Sequence, residues 1–280
     1  QDEDEVLIAA LRGMKTPVAV AYANVATNQD DVVYEQQQYL ESFQAQLAGT
    51  RARPASIRLD NTFGATRVWP TIVPDLPPLL GRAMLEDSGA GAARFEGYEG
   101  ALDYRRARFV DEPLFAALQI DLLADPDPAV LPFLAEQIAG KYVLIGGDIV
   151  DYDRVETTFT SITGDLPPGL AVHAEIIAQM LDGRALAPIP VWIVWVMAVL
   201  VVLSAALTAL LEWPARRLAP FMLALFAGFI GIPVLLQLGN VDTYGLPAVG
   251  WLVGWIIAFA AVTAAARASG AVQRNFAAGA

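Results

Sequence analysis

The stretch Val191-Trp-Ile-Val-Trp-Val-Met-Ala-Val-Leu-Val-Val-Leu-Ser-Ala-Ala-Leu-Thr-Ala-Leu-Leu211 decides the fold. It carries no charged residue. A run of about 20 apolar residues, at roughly 1.5 Å rise each, matches a hydrocarbon core about 30 Å thick. Two more uncharged runs follow, Phe221–Leu238 and Leu246–Ala266. Three transmembrane α-helices are therefore expected, and the function must be argued from a membrane-bound geometry.

Working outward, charge divides the chain. Residues 1–186 hold 14 Lys and Arg against 28 Asp and Glu, a net of −14. Residues 187–280 hold four arginines against Glu212 and Asp242, a net of +2, which together give −12. The first part is long enough to bury its own core. Its acidity argues against nucleic acid or an anionic lipid surface as its partner. The chain has no cysteine. Disulfides, thiol nucleophiles and thiolate metal sites are thereby excluded.

The arginines set an orientation. Arg216 and Arg217 lie between the first two runs, and Arg267 and Arg274 follow the third. The link 239–244 carries only Asp242. By the positive-inside rule the first link and the C-terminus are cytoplasmic, so residues 1–186 lie outside the cytoplasmic membrane. Trp192, Trp195 and Trp213 sit where aromatic belts form.

Along the first part, the acidic start Asp2–Glu5 precedes Val6, Leu7, Ala10 and Leu11 on one helical face. Pro17–Ala23 reads as a buried strand. Asp30 or Asp31 is expected to cap a helix running to about Leu47. Pro77–Leu85 reads as a short helix. A hairpin is expected from Ala92–Phe95 and Ala101–Phe109 around a turn at 96–100. Pro113–Leu123 and Pro128–Ile138 read as helices with proline in the first turn. Lys141–Ile145 reads as a strand ending in Gly146-Gly147, and Leu170–Val172 as another. His173–Leu181 reads as a helix stopped by Gly183. The expected fold class is α/β, a single mixed-sheet layered domain followed by three transmembrane helices.

The residues Gly140-Lys-Tyr-Val-Leu-Ile-Gly-Gly147, Asp153-Arg154, Pro168-Gly-Leu-Ala-Val-His-Ala174 and Leu181-Asp-Gly183, with three apolar helices after them, form one pattern. It resembles the end of the type-two CHASE sensor domain, the extracytoplasmic sensing module of bacterial cyclases and kinases. The family's Thr-Pro after the Asp-Arg loop is replaced here by Thr157-Thr158-Phe159. The family opens with a transmembrane helix and a first strand–helix unit, so sequence upstream of Gln1 is expected. The resemblance also implies an output domain, most often an adenylate or guanylate cyclase, beyond Ala280. It implies an extracytoplasmic sensor over 1–186, membrane helices over 187–266 and the start of a cytoplasmic connector over 267–280. The bacterial inner membrane is the implied location.

Several residues stand out, each with two readings. His173 is the only histidine. It is either a ligand donor or pH-sensitive group, or a ring that packs at a strand–helix junction and braces backbone. The loop Asp148, Asp151, Asp153, Glu156 is acidic enough for calcium but lacks the EF-hand spacing and its central glycine. Arg154 is a ready partner for one of these acids, so no metal or other cofactor is expected. Gly146-Gly147 precedes acidic residues and reads as a turn rather than a phosphate cradle. No serine sits in a G-x-S-x-G context, so no catalytic residue is assigned and this segment is expected not to be an enzyme.

Within the spans, Gly228 and Gly231, and Gly250, Gly254 and Ala258, form small-residue stripes that favour close helix packing, in a three-helix bundle or a dimer. Pro233 is expected to kink the second span or have its freed carbonyl met by a neighbour. No ionisable residue lies in a span, which argues against transport. Pro188 and Pro190 stiffen the short link to the first span and would pass motion to it. The partners expected are membrane lipid, a second copy or a larger membrane complex, and an extracytoplasmic ligand of unknown identity. The main rival role is an accessory subunit of such a complex; a periplasmic hydrolase with paired carboxylates is the third.

Overall fold

The computed structural model describes residues 2–24, 32–86, 94–105, 114–124, 127–149, 153–211, 215–243 and 246–278. The chain divides into two compact units, Gln1–Ala185 and Leu186–Ala280.

The first unit mixes helices with small sheets. Helix α1 (Asp2–Gly13) precedes strand β1 (Val18–Tyr22), helix α2 (Tyr34–Gln46) and strand β2 (Ala52–Ser56). Strands β1 and β2 pair in parallel, with Val18 opposite Ala52 and Tyr22 opposite Ser56. This is a β-α-β unit, and Ile8 of α1, Phe43 of α2 and Leu47 just after it pack with Ala52 of β2 in one core cluster. The expected caps Asp30 and Asp31 lie outside the described residues. Helix α2 starts instead with the Val33 N–H donating to Gln36 Oε1 at 3.1 Å.

A hairpin follows, strands β3 (Asn61–Thr62) and β4 (Ala65–Thr66). Its tip is Phe63-Gly64, with φ of 54° and 80°. The left-handed phenylalanine is 90% exposed, an uncommon conformation for a bulky residue. Helix α3 (Leu80–Leu85) packs on a later helix, α7 (Gly169–Leu181). Gly81 makes that approach possible, because a Cβ there would lie 3.2–3.3 Å from Met180, Ile176 and Ile177.

Between them run α4 (Asp121–Ala124), α5 (Leu131–Ile138) and α6 (Thr160–Thr163). The helix expected over Pro113–Leu123 is thus reduced to one turn. Of the hairpin expected over 92–109, residues 92–93 and 106–109 lie outside the described residues. The rest forms a turn, with the Tyr98 N–H donating to the Phe95 carbonyl at 3.3 Å, and Ala101 bridges Val68 rather than a hairpin partner. Lys141–Ile145 forms no regular strand and pairs with none among the described residues. Leu170–Val172 is not a strand; it is the first turn of α7. Pro168, extended at φ −65° and ψ 150°, is the N-cap residue that sets this start, as proline suits a helix entrance.

Helix α7 is the spine of the unit. Val172, Ile176, Ile177 and Met180 form its buried stripe and meet Trp69, Leu85, Phe95 and Leu102. Trp69 stacks on Phe95 at 4.7 Å between centroids, and Tyr98 meets both edge-on. Gly183, at φ 62°, ends the helix.

In the second unit, β5 (Ala187–Pro188) leads into α8 (Val191–Leu210). Then come α9 (Ala215–Leu238), β6 (Val241–Asp242) and α10 (Ala248–Ala278). Three segments are long and apolar enough to cross a membrane: Val191–Leu210, Arg216–Leu238 and Ala248–Ser269. Helix α9 continues through both Pro220 and Pro233. Strands β5 and β6 pair in parallel, so Pro188 is tied to the link between α9 and α10.

The seam between α10 and α8 is formed by Val201, Ala205 and Trp255, with Ala258 packed against it. The Trp255 indole donates to Ser204 Oγ at 3.0 Å and stacks on Phe259 at 5.2 Å. The glycine stripes lie to one side of this seam. A Cβ at Gly231 or Gly254 would meet nothing, and at Gly228 or Gly250 only a residue of the same helix region, Ile232 or Pro247.

Candidate functional site

The four residues singled out for sensing, His173, Asp148, Asp153 and Arg154, come together in the first unit. A groove of about 1420 Å³ runs between β1 and the stretch from the end of α5 to Gly147, and His173, Asp153 and Arg154 line it. Two glycines shape its wall. A Cβ on Gly146 would lie 3.1 Å from Leu170, and one on Gly147 would lie 3.4 Å from Asp153 Oδ2. The pair therefore lets the chain lie close against the start of α7 and the Asp-Arg loop.

Each polar candidate is tied internally. Arg154 Nη2 reaches Asp148 Oδ1 at 2.6 Å, and its Nη1 donates to the Leu166 carbonyl at 3.1 Å. Asp153 Oδ2 accepts the Ile149 N–H at 3.4 Å. The Asp153 carbonyl accepts the Gly169 N–H at 2.8 Å, which fixes the loop to the first residue of α7. His173 is 8% exposed. Burial pushes its pKa down to about 4, against a smaller upward pull from a hydrogen bond to the Ile57 backbone. A buried imidazole held neutral braces α7 against the segment after β2. Asp151 lies outside the described residues, and among the described residues no three His, Asp or Glu side chains converge on a metal-sized point.

A second polar assembly was not legible in the sequence. Gln179, 1% exposed, joins the far end of α7 to the strand-like segment 101–105. Its Oε1 accepts the Asp103 N–H at 3.0 Å, and its Nε2 donates to the Arg184 carbonyl at 3.0 Å. Arg184 Nη1 bonds Asp103 Oδ2 at 2.6 Å, and its Nε bonds Asp182 at 2.9 Å. Asp182 is shared with Arg105. One turn earlier, Glu175 Oε2 accepts the Arg105 N–H at 3.3 Å. Burial raises the Glu175 pKa, against the pull of that bond and of Arg184 and Arg105. Arg94 donates to the Gly183 carbonyl at 2.8 Å. The last residues of α7 and its exit are thus held by charge-assisted bonds, the stronger kind.

Among the described residues the arrangement offers no nucleophile aligned with a base. The sequence profile of the CHASE2 domain matches residues 1–210. The chain belongs to the CHASE2 family. The match runs from α1 to the end of α8, so it takes in the whole first unit and the first membrane helix. No curated protein and no solved structure matches the chain. CHASE2 is an extracytoplasmic sensory domain of signalling receptors, not a catalytic one. The first unit is therefore the CHASE2 sensory unit, and the apolar helices attach it to a membrane.

Proposed function

We propose that this chain is the sensing and anchoring part of a bacterial receptor that controls a cytoplasmic adenylate or guanylate cyclase from the inner membrane. The observation that carries the reading is the continuity of the family match through α8, with three apolar helices in all. The arginines favour a cytoplasmic C-terminus. Between the end of α7 at Leu181 and the start of α8 at Val191 lies a short segment that contains Pro188 and Pro190. The exit of α7 is pinned by the Gln179 and Arg184 bonds, and Ala187-Pro188 is pinned by β6. A ligand that biases the CHASE2 unit would then move α8 rather than slack chain. The open small-residue faces at Gly231 and Gly254 favour a homodimer, in which such a movement changes how two output domains meet.

The test is cyclic nucleotide formation from ATP or GTP in membranes that carry the full-length gene product. Formation is expected, and insertion of four flexible residues after Ala187 is expected to abolish its response to an extracytoplasmic ligand. Absence of any cyclisation overturns the cyclase reading; an unchanged response overturns the coupling.

A further inference from the structure

The CHASE2 unit holds a second, smaller cleft of about 230 Å³. Its floor is apolar and largely aromatic, made by Trp69, Phe95, Ile176 and Met180. One wall is the segment from Pro74 to Pro78, where Pro74, Pro77 and Pro78 line the opening. Proline fixes φ, so this wall is stiff before anything binds, and a pre-formed wall lowers the ordering cost of binding.

Arg82, within α3, is the one charged residue among the described residues that lines the cleft. It is half-buried. Among the described residues its guanidinium has no ion pair and no hydrogen bond. Asp75, in the proline wall, is not among the residues that line the cleft, and two other acids are engaged elsewhere. Glu86, one turn along α3, is held by Arg53 at 2.5 Å. Asp60 is held by Arg58 at 2.6 Å and takes the Thr71 hydroxyl at 2.5 Å.

A half-buried cation beside an aromatic floor calls for a ligand with both an anionic and an apolar part. Size narrows it further. An engineered apolar cavity of about 150 Å³ holds benzene, so this cleft has room for one ring and a group the size of a carboxylate. The surrounding unit is strongly acidic, which disfavours a polyanion. Arginine also suits the two oxygens of a carboxylate through its planar fork.

We propose that this cleft binds a small aromatic monocarboxylate, its ring over Trp69 and Phe95 and its carboxylate on Arg82. The assignment rests on the reading of this unit as a sensor and names what it senses. Ile176 and Met180 belong to α7, so the occupant sits on the helix whose chain continues into α8.

The test is calorimetric titration of the full chain in lipid nanodiscs with phenylacetate and with benzylamine, which has a similar shape and the opposite charge. Phenylacetate is expected to bind one per chain, and benzylamine not to bind. Arg82→Gln, at a half-exposed surface position, is expected to keep the fold and weaken phenylacetate at least about tenfold. The proposal is overturned if phenylacetate fails to bind at about 10 mM, if benzylamine binds equally, or if Arg82→Gln leaves the affinity unchanged. The readout is binding alone. Binding without any cyclase product overturns only the output reading, and cyclase product without binding overturns only this one.

Discussion

Helices α7 and α8 lie in adjacent stretches of the chain and are both rich in apolar residues, yet they are built for different surroundings. In α7 eight of 13 residues are buried, and three of those are His173, Glu175 and Gln179. Each of the three is bonded to another part of the unit. In α8 Trp192, Trp195, Leu203, Leu207 and Leu210 are 58–69% exposed. Its hydroxyls bond its own backbone, Ser204 to the Val201 carbonyl and Thr208 to the Ser204 carbonyl, both at 2.7 Å, and Ser204 also accepts the Trp255 indole of α10. A helix inside protein tolerates polar side chains because neighbours supply partners. A membrane helix bonds its polar side chains to its own backbone or to a neighbouring helix.

That contrast predicts unequal effects of equal truncations. Trp69→Ala removes a ring packed in a core that water would otherwise reach, at about 3–5 kcal/mol. Trp255→Ala removes a ring of similar burial from a helix seam, where lipid solvates the apolar groups left behind, at about 1–2 kcal/mol. Hydrogen exchange followed separately in peptides from α7 and α8 measures both, and equal losses would break the comparison.

Acid supplies the next effect. The His173 pKa falls from 6.5 to about 4 on folding. Its contribution is fully present above about pH 6.5 and is lost as pH drops toward 4, because the unfolded state takes up the proton first. The loss reaches about 3 kcal/mol, and the raised Glu175 pKa acts in the opposite sense. Denaturant titrations at pH 7 and pH 4.5 should show the drop, and His173→Gln should flatten it.

Gln179→Leu leaves the Asp103 N–H and the Arg184 carbonyl unpaired in the interior. It should destabilise α7 by about 2–4 kcal/mol, read as faster exchange at the end of α7. Asp148→Asn should do least. Its side chain is 60% exposed in the pair with Arg154, and such pairs are worth about 0–1 kcal/mol.

The sequence showed best what depends on local pattern. Length and absence of charge mark the membrane helices, and the Asp148–Arg154 pair lies within seven residues. Short apolar runs misled. Lys141–Ile145 has strand composition but finds no partner strand among the described residues, and Leu170–Val172 follows Pro168, which opens a helix. The Gln179 network was hidden because it joins residues 76 and 81 positions apart. The Arg82 cleft was hidden for the same reason: its floor takes Trp69 and Phe95 from loops and Ile176 and Met180 from α7.

The most direct test of the account uses the absence of cysteine, which makes single cysteines clean reporters. Phe63→Cys sits at the exposed hairpin tip of the CHASE2 unit, and Ser269→Cys at the exposed far part of α10. In intact spheroplasts a membrane-impermeant maleimide should label position 63 and reach position 269 only after lysis. Labelling of 269 with protection of 63 would contradict an outward sensor on an inward-pointing anchor.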